Sequence, residues 1–114
     1  MSIKASNRQV DSVTIVDLSG RLVLGEGTSL LRDTLQGLVG RGQKKILLNL
    51  GDVSYIDSSG LGALVSGYTS LTSQQGQMKL VNLTKKVHDL LQITKLVTVF
   101  EIFDNEATAV KSFG

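Results

Sequence analysis

The stretch Tyr55-Ile56-Asp57-Ser58-Ser59-Gly60-Leu61-Gly62 joins two segments of different character, and the rest of the chain is organised around it. The segment before it, from Lys44 to Leu50, is nearly all apolar, which is typical of a strand covered on both faces. The segment after it has helical spacing, with apolar side chains at Leu61, Leu64, Val65, Tyr68 and Leu71. The order strand, hydroxyl-rich turn, helix therefore predicts that two serines lie at a helix N-terminus.

Serines at such a position have two physical uses. The first backbone N–H groups of a helix lack partners and the helix dipole is positive there, so a serine oxygen can cap the helix and a phosphate on it is well accommodated. Capping needs only one hydroxyl and tolerates bulk beside it, so it explains neither Gly60 nor Gly62. We predict that these glycines leave the surface around Ser58 and Ser59 without bulk, so that a second protein can come close.

The flanking sequence alternates strand and helix patterns, with Val10-Asp11-Ser12 as a hairpin turn. This alternation predicts an α/β fold, a single domain over residues 1–114 with a mixed, mostly parallel sheet of about five strands and about four helices packed against it. The predicted strands run from Ile3 to Gln9, Val13 to Gly20, Lys44 to Leu50, Met78 to Val81 and Val97 to Phe103; the predicted helices start at Thr28 or Ser29, at the serine turn, at Thr84 and at Asp104, the last with Ala107, Val110 and Phe113 on one side.

Composition limits the classes of function. A chain of 114 residues with net charge +2 and no Trp lacks the concentrated basic face and the stacking residues that nucleic-acid binding usually needs. It contains no cysteine, which excludes disulfides and thiolate metal sites and fits a reducing compartment. The N-terminus lacks the apolar core of a signal peptide, and no run has the length of a membrane span. We expect a cytoplasmic protein with no nucleic-acid or membrane partner.

The sequence offers little support for a catalytic site. A serine hydrolase needs a base, the chain holds a single histidine at position 88, and a Gly-x-Ser-x-Gly elbow is absent. The pattern beginning at Gly60 has Val65 where a dinucleotide-binding turn needs its third glycine. Asp52 and Asp57 lack companion ligands for a metal. We therefore expect no enzymatic activity, no metal and no cofactor.

Two basic pairs, Lys44-Lys45 and Lys85-Lys86, break the otherwise mixed charge pattern. The simpler interpretation is that they are solvated ends of secondary structure elements, and the alternative is a binding patch.

The sequence from Asp57 to Gly62, together with the preceding strand and the Asp52 to Ile56 bridge, resembles the signature of bacterial anti-sigma-factor antagonists of the STAS domain family. The resemblance spans nearly the whole chain. Leu18 to Leu22 resembles the family's second strand and following turn, Gly76 to Leu80 its fourth strand, and Val87 to Leu91 its third helix.

This resemblance implies a binding function. Proteins of this kind bind an anti-sigma factor, a serine kinase of the GHKL type, and so free a sigma factor; the kinase phosphorylates the first serine of the signature, which matches Ser58, and a serine phosphatase reverses this. ATP and its metal would belong to the kinase. The implied partner-binding residues are Val23, Gly25, Asp57, Ser58, Ser59, Gly60 and Gly62, in a monomer or weak homodimer.

One position departs from the family pattern. The family often has an acidic residue three positions after the glycine that ends the second strand, and here that position is Val23, with Glu26 the nearest acid. A different partner at the Gly25-Glu26-Gly27 loop is one alternative. Another is that the whole domain is a non-switching STAS scaffold subunit of a sensory or stress-signalling complex.

Overall fold

The apolar run of the sequence forms the central strand of a five-stranded sheet in the order β1-β2-β3-β4-β5. The computed structural model describes residues 3–113. The first two strands are antiparallel and the remaining pairs are parallel, so the predicted mixed, mostly parallel α/β sheet is confirmed. The strands are β1 (Lys4–Val10), β2 (Val13–Leu22), β3 (Lys45–Ile56), β4 (Gln77–Val81) and β5 (Ile102–Phe103), and the helices are α1 (Glu26–Gly40), α2 (Ser58–Ser73), α3 (Lys85–Ile93) and α4 (Glu106–Ser112).

The two faces of the sheet are covered unequally. Side chains alternate between faces along a strand, so Val16 and Leu48 point to one side while Ile15 and Leu47 point to the other. The first side packs against α1, α2 and α3 and forms the larger core. The second side is covered by α4, whose buried residues are Ala109, Val110 and the adjoining Phe113. Within the described chain, no helix has both the length and the apolar character needed to cross a bilayer.

The central strand is longer than the sequence predicted. It continues to Ile56, six residues beyond the expected end at Leu50. In pairing with β2 it carries one extra residue between Asn49 and Asp52 and another at Ser54, because the register shifts twice. Such bulges interrupt the two-residue alternation on which the sequence prediction of strands depends. Because β3 also continues past Asn49, its last residue paired with β4, the serine turn lies well beyond that pairing.

Of three predicted helix starts, one is confirmed and two differ from the prediction. The cap at Thr84 is confirmed, since its hydroxyl oxygen accepts a hydrogen bond from the Val87 N–H at 3.3 Å. The first helix begins earlier than predicted, at Glu26, and Thr28 lies inside its first turn. The last helix is capped by Asn105 and not by Asp104, and among its predicted inward residues Ala107 is exposed while Ala109 takes that place.

The last predicted strand is mostly wrong. Only Ile102–Phe103 pairs with β4, and Leu96–Thr98 forms a 3-10 turn. Lys95, in the left-handed region at φ 65°, lies between the end of α3 and that turn. Phe100 then points into the larger core and meets the Tyr68 ring edge to face at 5.4 Å between centroids. β-propensity reflects packing on a pleated surface, so apolar residues can satisfy the core without forming a strand.

Candidate functional site

The turn between β3 and α2 is held by Asp57. One oxygen of its carboxylate accepts a hydrogen bond from the Gly60 N–H at 2.8 Å, which caps α2, and the other accepts from the Leu24 N–H at 3.1 Å. The sequence prediction of a serine cap is therefore wrong: Asp57 supplies the cap, and neither Ser58 nor Ser59 is needed for it. The same carboxylate fastens the loop after β2 to the start of α2.

These contacts fix the charge of the turn. Hydrogen bonds from the Gly60 N–H and then from the Leu24 N–H favour the ionised carboxylate, so they lower the pKa of Asp57 below its usual value. Asp57 is thus ionised at neutral pH. At neutral pH a negative charge therefore lies immediately before Ser58 in the chain.

Replacing Asp57 with asparagine tests this arrangement. The Gly60 and Leu24 N–H groups bond to different oxygens of Asp57, and asparagine replaces one of these oxygens with an NH₂ donor. One of the two hydrogen bonds is therefore lost, and the variant should be less stable than wild type at neutral pH. Because the pKa of Asp57 is lowered in the folded state, its stabilising effect is complete above the usual carboxyl pKa and is lost as the pH falls through the lowered pKa. The difference in free energy of unfolding between the two proteins should therefore shrink on acidification.

Urea denaturation from neutral pH down to the lowest pH at which wild type stays folded measures this difference. Faster amide hydrogen exchange at Leu24 in Asp57→Asn is the local readout. A difference that stays constant over the whole pH range would contradict the assigned role.

The two serines of the turn have different environments. Ser58 is exposed and is the first residue of α2, as the sequence predicted. Ser59 is half-buried and lines a groove of about 690 Å³ between α1 and α2. Ser58 is therefore the more exposed of the two hydroxyls.

The two glycines of the turn also differ, and this corrects the prediction for one of them. A Cβ at Gly62 would have no atom within 4 Å, so this position is open as expected. Gly60 is buried, and a Cβ there would lie 2.2 Å from the Leu22 carbonyl oxygen and 2.9 Å from Cγ2 of Ile56. Gly60 therefore makes room for the end of β2 and not for a partner.

The loop after β2 lies beside the serine turn because of its bond to Asp57. Its Val23 is half-buried, and its carbonyl oxygen accepts a hydrogen bond from the Thr28 N–H at 3.2 Å. Gly25 is exposed at φ 100°, a backbone conformation that favours glycine. Between them lies Leu24, which is 74% exposed. The sequence analysis did not predict an exposed apolar residue here, although a leucine in a glycine-rich loop was a signal for one.

The residues considered for other chemistry are not assembled into a site. His88 is exposed on α3, and Asp52 is exposed on β3. Between residues 3 and 113, no group of three or more His, Cys, Asp or Glu side chains could hold a metal ion.

Comparison with known proteins identifies a matching family, similar sequences and a similar structure. The family model described as STAS domain matches residues 4–109. The chain is 30% identical over 111 residues to the anti-sigma F factor antagonist of Paenibacillus polymyxa, covering 96% of this chain and 94% of that protein. It is 31% identical over 102 residues to the anti-sigma-B factor antagonist of Bacillus subtilis, covering 90% and 92%. A crystal structure of a putative anti-sigma factor antagonist from Thermotoga maritima superposes with a TM-score of 0.87 at 30% identity, covering 95% and 92%.

Proposed function

The chain belongs to the STAS domain family, and on that premise we propose that it is an anti-sigma-factor antagonist whose binding is switched by phosphorylation of Ser58. In the unmodified state it binds an anti-sigma factor that is also a serine kinase, and a sigma factor is released. Phosphorylation of Ser58 ends the binding, and a serine phosphatase restores it.

The observation that supports this proposal is the exposure of Ser58 at the first position of α2, beside an ionised Asp57. A kinase needs a hydroxyl that reaches out of the protein surface, and Ser58 meets that requirement while Ser59 is half-buried. The positive end of the α2 dipole accommodates a phosphate within the free protein. Phosphorylation therefore need not disturb the fold in order to change the surface.

The switch follows from charge and solvation. A phosphoryl group carries about −1.5 to −2 charges at neutral pH and needs solvent or cationic partners. Added next to Asp57, it places a second negative group on a surface that a partner must dehydrate on docking. The domain supplies the acceptor hydroxyl, and the kinase supplies ATP and the catalytic groups.

Incubation with the cognate GHKL-type kinase and ATP, followed by peptide mass spectrometry, tests the proposal. One phosphate is expected on Ser58, and Ser58→Ala should abolish incorporation. Ser59→Ala is the matched control, because it removes the neighbouring hydroxyl, and it should still be phosphorylated. Absence of phosphate from Ser58 in the wild type, or its presence on Ser59 instead, would refute the switch.

A further inference from the structure

An exposed apolar surface lies close to the serine turn, between α3 and the end of β3. It is a groove of about 520 Å³ whose lining includes Tyr55, Leu90 and Ile93, which we call the α3 patch. Ile93 is 78% exposed and Tyr55 is 40% exposed, so two large side chains with apolar surface face solvent at the same groove. An exposed apolar patch with a polar rim often marks an interaction site.

The patch is a consequence of the long central strand. Pairing between β3 and β4 ends at Asn49, so the rest of β3 has a helix and not a strand on that side. The helix α3 packs on this end of β3 through its buried residues Val87 and Leu91. Leu90 and Ile93 are three positions apart and adjoin the buried stripe, so they share one flank of the helix. Both line the groove.

The rim of the α3 patch is positively charged. Lys85 is paired with Asp89 at 2.8 Å, so these two charges offset each other. Lys86 also lines the groove, and the Arg21 guanidinium stacks over the Tyr55 ring at 5.1 Å. Within residues 3–113, neither Lys86 nor Arg21 forms a salt bridge. Two cations therefore flank an apolar groove without an anionic partner from their own chain.

We propose that the α3 patch is a second docking surface, which binds a carboxylate-rich segment of the anti-sigma factor with an exposed apolar side chain. The apolar side chain fills the groove, and the carboxylates face Lys86 and Arg21. Charge complementarity favours this occupant over a second copy of the chain, which would bring like charges together. The identity of the partner rests on the proposed function. Because Tyr55 precedes Ser58 by three residues at the same end of β3, one partner can contact both surfaces.

Isothermal titration with the unphosphorylated protein and the cognate anti-sigma factor tests the second surface. Ile93→Glu is expected to raise the Kd by about tenfold or more, because it places a carboxylate in the groove that receives the partner's apolar side chain, close to the partner's own carboxylates. Lys86→Glu is expected to raise it by about three- to tenfold, with a smaller effect at high salt. Both positions are exposed, and unchanged far-UV circular dichroism will verify folding.

Lys111→Glu is the matched control for charge, since Lys111 is exposed on α4 at the opposite face of the sheet; its Kd should stay within about twofold of wild type. Ser58→Asp, measured in parallel, separates the two proposals. If Ser58→Asp abolishes binding while Ile93→Glu and Lys86→Glu match Lys111→Glu, the α3 patch is refuted and the switch stands. If wild type does not bind the anti-sigma factor, both proposals fail. Wild-type dimerisation that Ile93→Glu abolishes would identify a self-association surface and overturn this one.

Discussion

Gly60→Ala is expected to destabilise the fold by about 3 kcal/mol, although alanine is the better helix former. Its Cβ would lie 2.2 Å from the Leu22 carbonyl oxygen, far inside contact distance, and that atom belongs to the backbone of β2. The first turn of α2 would have to move away from β2, and the bond from the Leu24 N–H to Asp57 would lengthen or break. Equilibrium urea denaturation monitored by circular dichroism measures the loss.

Gly62→Ala is the matched control in the same helix. A Cβ at Gly62 meets no atom within 4 Å, so only the higher helix propensity of alanine relative to glycine affects stability. We expect Gly62→Ala to be neutral or to stabilise the protein by up to about 1 kcal/mol. Equal effects of the two substitutions would show that the close approach of α2 to β2 does not account for Gly60.

The sequence predicted most of the fold because its local signals agreed with the tertiary structure. The apolar run from Lys44 to Leu50 is typical of a buried strand and forms part of β3, and the helical spacing after Leu61 matches the buried face of α2. The exposed position of Ser58 at a helix start also followed from the order of elements. Each of these conclusions depends on residues that are neighbours in the chain.

The features that the sequence did not predict depend on contacts between segments that are distant in the chain. Aspartate and serine are both good helix caps, so local preference could not choose between Asp57 and Ser58. The Leu24 N–H, 33 residues away, occupies the second oxygen of Asp57, and the sequence does not reveal that contact. Gly60 and Gly62 are likewise equivalent in the sequence, and only the position of Leu22 distinguishes them. The α3 patch was missed because the bulges in β3 concealed the length of that strand.

Ser58→Asp is expected to weaken binding to the anti-sigma factor by about 100-fold, or about 3 kcal/mol. The added carboxylate lies next to the ionised Asp57, on the surface that the proposal assigns to docking. The added carboxylate also lies at the first position of α2, where a negative charge interacts favourably with the helix dipole. The thermal stability of the free protein should therefore not fall. Titration calorimetry and thermal unfolding of the same sample together separate a loss of docking from a loss of folding.

Two control variants determine whether the weaker binding of Ser58→Asp comes from the position of the added charge or from the change in net charge. Ser58→Ala keeps the site neutral and should bind within about threefold of wild type. Ser66→Asp adds the same charge at an exposed position of α2, eight residues or about 12 Å along the helix axis. That distance exceeds the Debye length of about 8 Å at physiological salt, so its effect on the Kd should be small. If Ser66→Asp weakens binding as much as Ser58→Asp, net charge and not the serine turn controls the interaction. If neither variant changes the Kd, the domain behaves as a constitutive scaffold, because a switch must respond to charge at Ser58.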